Sequence, residues 1–203
     1  MNSHVKIQRN THRKTRAKIF RALCLAALLA GLIPIASLAP AASAEPGRAA
    51  APAAREAQTE TAALAQLLAL KLPDAQGEQI DLAQWRGRIR VINLWATWCA
   101  PCKAEMPAFS RLQETFRPRG VQFIGIAVDA PEKVKVFAAK TPVSYPLPVS
   151  DEAILALSGK LGNPHMGLPF TLVVDPNGNI LARKAGRFPE EELARLLQKA
   201  SRP

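Results

Sequence analysis

Cysteine and histidine are scarce in this 203-residue chain, which has three of each and a single tyrosine. If residues 1–44 are set aside, only Cys99, Cys102 and His165 remain of the two metal-binding types. A structural zinc ion takes about four ligands, so these residues do not suffice for a zinc site. One pair of cysteines is likewise too few for the disulfide framework of a small secreted scaffold.

Acidic residues are absent from residues 1–44, which contain seven Lys or Arg. The basic stretch ends at Arg21, and an uncharged apolar run then leads to Ala42-Ser43-Ala44. A basic start, an apolar centre and a small-residue end predict a secretory signal peptide cleaved after Ala44. Residues 22–43 are also long enough to span a bilayer. A periplasmic protein, or one anchored to the inner membrane by residues 22–43, is therefore expected.

The net charge of +11 belongs mostly to this leader. Without it, 20 of the 27 basic residues remain against 16 acidic ones. A mild positive charge and few aromatic residues do not indicate a nucleic-acid-binding surface. The Ala- and Pro-rich residues 45–65 show no apolar period and predict a linker, which leaves 66–203 as one domain.

Apolar periodicity predicts alternating strands and helices in this domain. Residues 61–72 are ambiguous between a helix and a strand, and 73–82 predict a hairpin turn. The predicted strands are 88–95, 121–128, 170–175 and 180–186, and the predicted helices are 99–118, 131–140, 151–162 and 188–201. This order predicts an α/β fold with a sheet covered by helices on both faces.

Cys99 follows a predicted buried strand and opens a predicted helix. Unpaired N–H groups and the helix dipole favour an anion at that position, so Cys99 should be held partly as the reactive thiolate. Cys102 lies one turn further in and is suited to attack a mixed disulfide formed at Cys99. A structural disulfide is an alternative, although so short a loop restricts the unfolded chain little. A Cu(I)-binding module that uses both cysteines and His165, with Met166 next to it, is another.

The segment "LWATWCAPCKAEMP", residues 94–107, resembles the active site of exported TlpA/ResA-like thiol-disulfide oxidoreductases of the thioredoxin superfamily. The match includes Trp98, Pro101, Lys103 and Pro107 around the two cysteines. The resemblance covers about residues 66–203. It implies a thioredoxin-like fold with a central mixed sheet, helices on both faces and an N-terminal β-hairpin extension, and a redox-active Cys99–Cys102 disulfide.

Thioredoxin folds also carry a cis-proline that faces the cysteines, and Pro169 in "MGLPFTLVVD" matches it. Taken alone, an X-Pro bond is expected to be trans, so this expectation comes from the resemblance. It further implies that the backbone beside Pro169 pairs with an extended substrate segment. Trp98, Pro101 and Leu168 are the expected substrate contacts.

Glu105 is the fourth expected catalytic residue, with Cys99, Cys102 and Pro169. In TlpA/ResA-like proteins a Glu at this position influences the pKa values of the cysteine pair. Cytosolic thioredoxins keep a buried Asp on the preceding strand, where this chain has Asn93, which cannot take a proton. If a carboxylate assists deprotonation of Cys102, Glu105 is the candidate, although a water could serve instead.

These patterns predict a monomeric protein disulfide reductase that needs no cofactor. By resemblance, its partners are disulfide-containing exported proteins, such as apocytochrome c or copper-site proteins, and a membrane thiol reductase of the DsbD/CcdA type supplies its electrons. Phe170 after the proline and Ala100-Pro101 between the cysteines favour targets outside a dedicated haem pathway. A thiol peroxidase on a related fold is a further alternative, but the chain lacks a Pro-x-x-x-Thr-x-x-Cys pattern.

Overall fold

The structure is a computed structural model that describes residues 51–201. The predicted signal peptide or anchor and Cys24 lie outside the described residues. The helices and strands, in chain order, are α1 Ala51–Leu68, β1 Lys71–Pro73, β2 Gln79–Asp81, β3 Ile89–Trp95, α2 Ala100–Phe116, β4 Val121–Val128, α3 Pro131–Lys140, β5 Val149–Ser150, α4 Ala153–Gly159, β6 Phe170–Val174, β7 Ile180–Ala185 and α5 Glu190–Ala200. Short 3₁₀ turns at Leu82–Trp85 and Arg117–Arg119 precede β3 and β4.

Five strands form a mixed sheet in the order β5-β4-β3-β6-β7. The pairs β3–β4 and β4–β5 are parallel, as expected for strands joined by helical crossovers. The pairs β3–β6 and β6–β7 are antiparallel. Every residue of β3 and β4 is buried, in agreement with their continuous apolar runs, whereas β7 alternates between exposed and half-buried residues. The sheet is thus covered at its centre and open at this edge.

Two apolar clusters lie on opposite faces of the sheet, because successive side chains of a strand point to opposite sides. Side chains of α2, α3 and α5 form one cluster, which also contains Cys99 and Cys102. Side chains of α1 and α4 form the other. This arrangement confirms the predicted mixed sheet with helices on both faces.

The N-terminal β-hairpin extension is also present, since β1 and β2 pair antiparallel as a separate two-stranded sheet. Its turn is stabilised by Asp74, whose Oδ1 accepts hydrogen bonds from the N–H groups of Gln76 and Glu78. Gly77 adopts φ +90°, a left-handed conformation that favours glycine. The ambiguous residues 61–72 contain both alternatives, the end of α1 and the strand β1.

The largest difference from the sequence prediction concerns the proposed linker 45–65, which is helical from Ala51 onwards. Ala, Glu, Gln and Arg form helices readily without an apolar period, so periodicity does not reveal the first half of α1. Among residues 53–68 of this helix, three side chains of the second half are buried: Ala63, Leu64 and Leu67. None of the helices within 51–201 is long and apolar enough to cross a membrane.

Candidate active site

The two cysteines lie at the junction of β3 and α2, where the chain passes from the end of a strand into the N-terminus of a helix. Cys99 is the N-cap residue of α2, and its Sγ accepts a hydrogen bond of 3.3 Å from the N–H of Cys102. A disulfide bond joins the pair. Cys99 is 4% exposed and Cys102 is fully buried, so an incoming sulfur can approach Cys99 more readily. This order of exposure agrees with the predicted roles of attacking and resolving thiol.

Asp129 anchors the segment between β3 and the cysteines, and the sequence analysis did not identify it. Its Oδ2 accepts hydrogen bonds from the N–H of Thr97 at 3.2 Å and from the Thr97 hydroxyl at 2.5 Å. Burial raises the pKa of Asp129, but hydrogen bonds from Thr97, Ala130 and Lys133 outweigh it, and the pKa lies below its usual value. An acidic residue directly after the buried strand β4 was the signal that could have revealed it.

Glu105 lies one helical turn after Cys102 and is only 2% exposed. Its Oε1 accepts a hydrogen bond of 3.0 Å from Asn93 Nδ2, and its Oε2 accepts one of 3.0 Å from the N–H of Phe188. Burial raises the pKa of Glu105 to about 7, although these two hydrogen bonds and the charge of Arg187 act in the opposite direction. A carboxyl group with this pKa can take up or release a proton near neutral pH.

Asn93 connects this carboxyl group to the sheet. Its Nδ2 also donates a hydrogen bond of 3.0 Å to Thr171 Oγ1 on the neighbouring strand. Both donor hydrogens of the amide are thereby used, and all three side chains are buried. Sequence reasoning identified Asn93 and Glu105 but missed Thr171, because the pairing of β3 with β6 brings together residues 78 positions apart.

The two tryptophans of the motif are placed differently. Trp95 is fully buried, and its Nε1 donates to the carbonyl oxygen of Gly125 at 3.2 Å. Trp98 is 67% exposed, and Pro101 in the first turn of α2 is exposed as well. Trp95 is therefore a core residue and Trp98 a surface residue. The role of Trp98 and Pro101 in substrate contact stays a prediction.

The Leu168–Pro169 peptide bond is cis, as the sequence motif indicated. Phe170 pairs with Leu94 across β3 and β6. Pro169, which precedes Phe170, therefore lies at the end of the sheet from which β3 leads to the cysteines. Leu168 is half-buried and packs against the apolar cluster that contains Cys99 and Cys102. Within the described residues, neither the N–H nor the C=O of Leu168 has a hydrogen-bond partner.

His165 and Met166 occupy the loop that precedes this proline. Both side chains are exposed, and Met166 has φ +50°. Residues 51–201 contain no group of three or more His, Cys, Asp or Glu side chains placed to hold a metal ion. His165 therefore does not form a three-residue group with the oxidised cysteine pair in this structure.

The AhpC/TSA family profile matches residues 64–183, more than half of the chain. The chain belongs to the AhpC/TSA family. It is 30% identical to the thiol-disulfide oxidoreductase ResA of Geobacillus thermodenitrificans (strain NG80-2) over 128 residues, which cover 63% of this chain and 71% of that protein. ResA of Geobacillus kaustophilus (strain HTA426) is 28% identical over the same length, with the same two coverages.

Solved structures agree with this assignment. A thioredoxin-related protein from Neisseria meningitidis serogroup B is 31% identical, with a TM-score of 0.56, and the match covers 64% of this chain and 97% of that one. A thiol:disulfide interchange protein DsbE from Chlorobium tepidum, at 23% identity and a TM-score of 0.58, covers 65% and 92% and supports the fold. This AhpC/TSA-family chain has a thioredoxin-like fold, and it is a thiol-disulfide oxidoreductase of the ResA type with a close cysteine pair.

Proposed function

We propose that this oxidoreductase works as a reductase of protein disulfides. The observation that carries the proposal is the position of Cys99 as the N-cap of α2, with Cys102 fully buried behind it. The helix N-terminus favours the thiolate of Cys99. Strong oxidants stabilise this thiolate further, whereas Ala100 and Pro101 supply no charge or donor side chain. A moderately stabilised thiolate favours electron transfer to the partner.

The reaction proceeds in two exchanges. The Cys99 thiolate attacks one sulfur of the partner's disulfide, and the partner's other sulfur leaves as a thiolate that takes up a proton. Cys102 loses its proton and attacks Sγ of Cys99, which breaks the mixed disulfide and releases the partner's second thiolate. The partner gains two electrons and two protons, and Cys99 and Cys102 become the disulfide.

In this proposal Glu105 accepts the proton that Cys102 loses. The carboxyl group lies on the next turn of the same helix and is buried, and its pKa of about 7 matches a base that must work near neutral pH. Pro169 and Leu168 form the opposite wall of the site, where the free N–H and C=O of Leu168 bind an extended partner segment as an added strand would. Trp98 and Pro101 provide the exposed apolar contact.

The leader suggests where the reaction takes place. We infer that residues 1–44 direct the chain to the periplasm, either as a cleaved signal or as an anchor formed by residues 22–43. In an oxidising compartment an exported reductase must have its disulfide reduced again after each reaction. The proposed electron donor is therefore a membrane thiol reductase of the DsbD/CcdA type. The proposed partners are disulfide-containing exported proteins, with apocytochrome c or copper-site proteins as candidates. N-terminal sequencing of the protein purified from cell fractions tests the cleavage site.

The reduction potential of the Cys99–Cys102 pair tests the direction of transfer. Equilibration with glutathione should give a value below about −200 mV, whereas a value near the −120 mV of a strong oxidant would reject the reductase assignment. Cys102→Ser should accumulate mixed disulfides at Cys99, and Cys99→Ser is the matched control that should trap none. If Cys102→Ser traps no more protein than this control, protein disulfides are not the substrate.

A further inference from the structure

The loop between α4 and β6, residues 160–169, presents the free backbone groups of Leu168. On its C-terminal side the sheet fixes it, since the C=O of Pro169 accepts a hydrogen bond of 2.8 Å from the N–H of Gly186, and β6 begins at Phe170. Residues 164–168 themselves belong to no strand or helix. Residues 164–167 are all exposed. Some other contact must order the backbone before Leu168.

That contact is made by Asn163, which is only 2% exposed. Its Nδ2 donates to the C=O of Gly167 at 3.0 Å, and its Oδ1 accepts from the N–H of the same residue at 3.2 Å. The second hydrogen of Nδ2 goes to Ser158 Oγ at 3.0 Å. One carboxamide therefore holds both backbone groups of Gly167, and neither of its donor hydrogens is left without a partner.

Asn163 is itself attached to α4. Its N–H donates to the C=O of Ser158 at 3.1 Å, and the Ser158 hydroxyl donates to the C=O of Leu155 at 2.7 Å. Gly162, with φ +97°, turns the chain at the end of the helix, and a Cβ on it would lie 2.6 Å from Cδ of Arg183. Hydrogen bonds thereby connect the loop to the buried residue Ser158 of α4, although residues 164–167 of the loop are exposed.

A carboxamide presents its C=O and N–H in the manner of a peptide group. By binding both backbone groups of Gly167, Asn163 takes the place that a neighbouring strand would occupy on that side of the chain. At the next residue, the N–H and C=O of Leu168 have no partner among residues 51–201. Because exposed backbone groups pair with an extended chain only when they are held in place, the order of Gly167 determines how well Leu168 can bind.

We propose that Asn163 is a positioning residue, which locks Gly167 so that Leu168 presents its N–H and C=O to an extended, disulfide-containing polypeptide. The proposal rests on the proposed reductase function and adds a determinant of selectivity to it. A small aromatic disulfide has no backbone to pair with Leu168 and needs only access to Cys99. Asn163 should therefore matter for protein disulfides and not for small ones.

The rate of reaction of the reduced protein with insulin, compared with 5,5′-dithiobis(2-nitrobenzoate), tests this separation. Asn163→Ala should lower the second-order rate constant with insulin about five- to tenfold, the size expected for a poorly formed hydrogen-bonded contact. The rate constant of Asn163→Ala with the small disulfide should stay within about twofold of the wild type. The reduction potential of its cysteine pair should not change measurably. Asn179→Ala is the matched control, because Asn179 is an exposed asparagine in the β6–β7 turn with its own side-chain bond to Asp175.

Two results overturn the proposal: an unchanged rate with insulin, or an equal loss with both disulfides, which would indicate general damage. If Asn163→Ala does not fold, Ser158→Ala takes its place, since it removes the attachment of the carboxamide to α4 and leaves the Gly167 contacts. A partial loss restricted to insulin is then expected, and no loss contradicts the proposal.

Amide hydrogen exchange separates this proposal from the reductase function. In the wild type the N–H of Gly167 should exchange at least about tenfold more slowly than the N–H of Leu168. Asn163→Ala should reduce that difference. If Asn163→Ala does not fold, Ser158→Ala should reduce it instead. If the wild type does not reduce insulin but shows this protection, the reductase proposal fails, whereas the locking of Gly167 by Asn163 stands. Equal exchange of both amides in the wild type rejects the positioning role.

Discussion

Replacing Glu105 by glutamine should remove a loss of stability that the wild type suffers as the pH rises. Burial raises the pKa of Glu105 from 4.5 to about 7 in the folded protein. Between these two values the folded state binds more protons than the unfolded state, so the free energy of unfolding falls as the pH increases through this range. Below the lower value the contribution of the protonated carboxyl is fully present, and above the higher value it is lost.

The size of the effect follows from the same two values. A tenfold difference in proton affinity corresponds to about 1.4 kcal/mol, so the wild type should lose on the order of 3 kcal/mol between pH 4 and pH 8 through this group. Glutamine does not titrate, so Glu105→Gln should lack this loss. The free energy of unfolding of the variant, minus that of the wild type, should therefore increase as the pH rises.

Urea unfolding of the oxidised protein at several pH values measures this difference, because neither cysteine titrates in the disulfide. Glu114→Gln is the matched control, since Glu114 is exposed on the same helix and its substitution removes a charge without touching a buried carboxyl group. Parallel pH profiles for the wild type and Glu105→Gln would refute the reasoning. A difference between the two profiles that changes only below pH 4.5 would do the same.

Three further substitutions test other parts of the structure. Gly125→Ala should destabilise the protein by about 1–3 kcal/mol in urea unfolding, because the new Cβ would lie 2.8 Å from Leu147 Cδ2 and 3.0 Å from the Tyr145 ring. A variant as stable as the wild type would show that the site has room for this Cβ. Trp98→Ala should change stability by less than about 0.5 kcal/mol, since the side chain is 67% exposed, but should raise KM for insulin; an unchanged KM would remove it from the substrate surface. Asn93→Asp would place a second carboxylate about 3 Å from the buried one, so the free energy of unfolding should drop more at pH 8 than at pH 5; a drop independent of pH would contradict this.

Much of the fold could be predicted because local patterns and tertiary packing agree. The strands 88–95 and 121–128 have continuous apolar runs and are observed as β3 and β4 with nearly the same bounds. The hairpin of β6 and β7 was recognisable from its Asn-Gly turn. By contrast, β5 contains only Val149 and Ser150, and so short a strand has no pattern of its own. It exists because it pairs with the edge of β4.

Some residues of the candidate site could likewise be predicted from local motifs, and others could not. The two cysteines and Pro169 were found because each belongs to a short motif with a definite chemical meaning. Thr171 and Asp129 were missed because their partners are 78 and 32 positions away in the chain. No local pattern marks a residue whose role depends on the register between two strands or on the end of a neighbouring one.

The sequence by itself determined the redox pair, the order of the main strands and helices, and the family to which the motif belongs, since these follow from local residue types and their spacing. Only the tertiary structure decided the state of Glu105. The same carboxyl group on an exposed helix would be a solvated charge, but burial withdraws it from water and raises its pKa, against the opposing hydrogen bonds from Asn93 and the N–H of Phe188. The burial of this polar side chain is a property of the assembled layers, and no spacing along the chain specifies it.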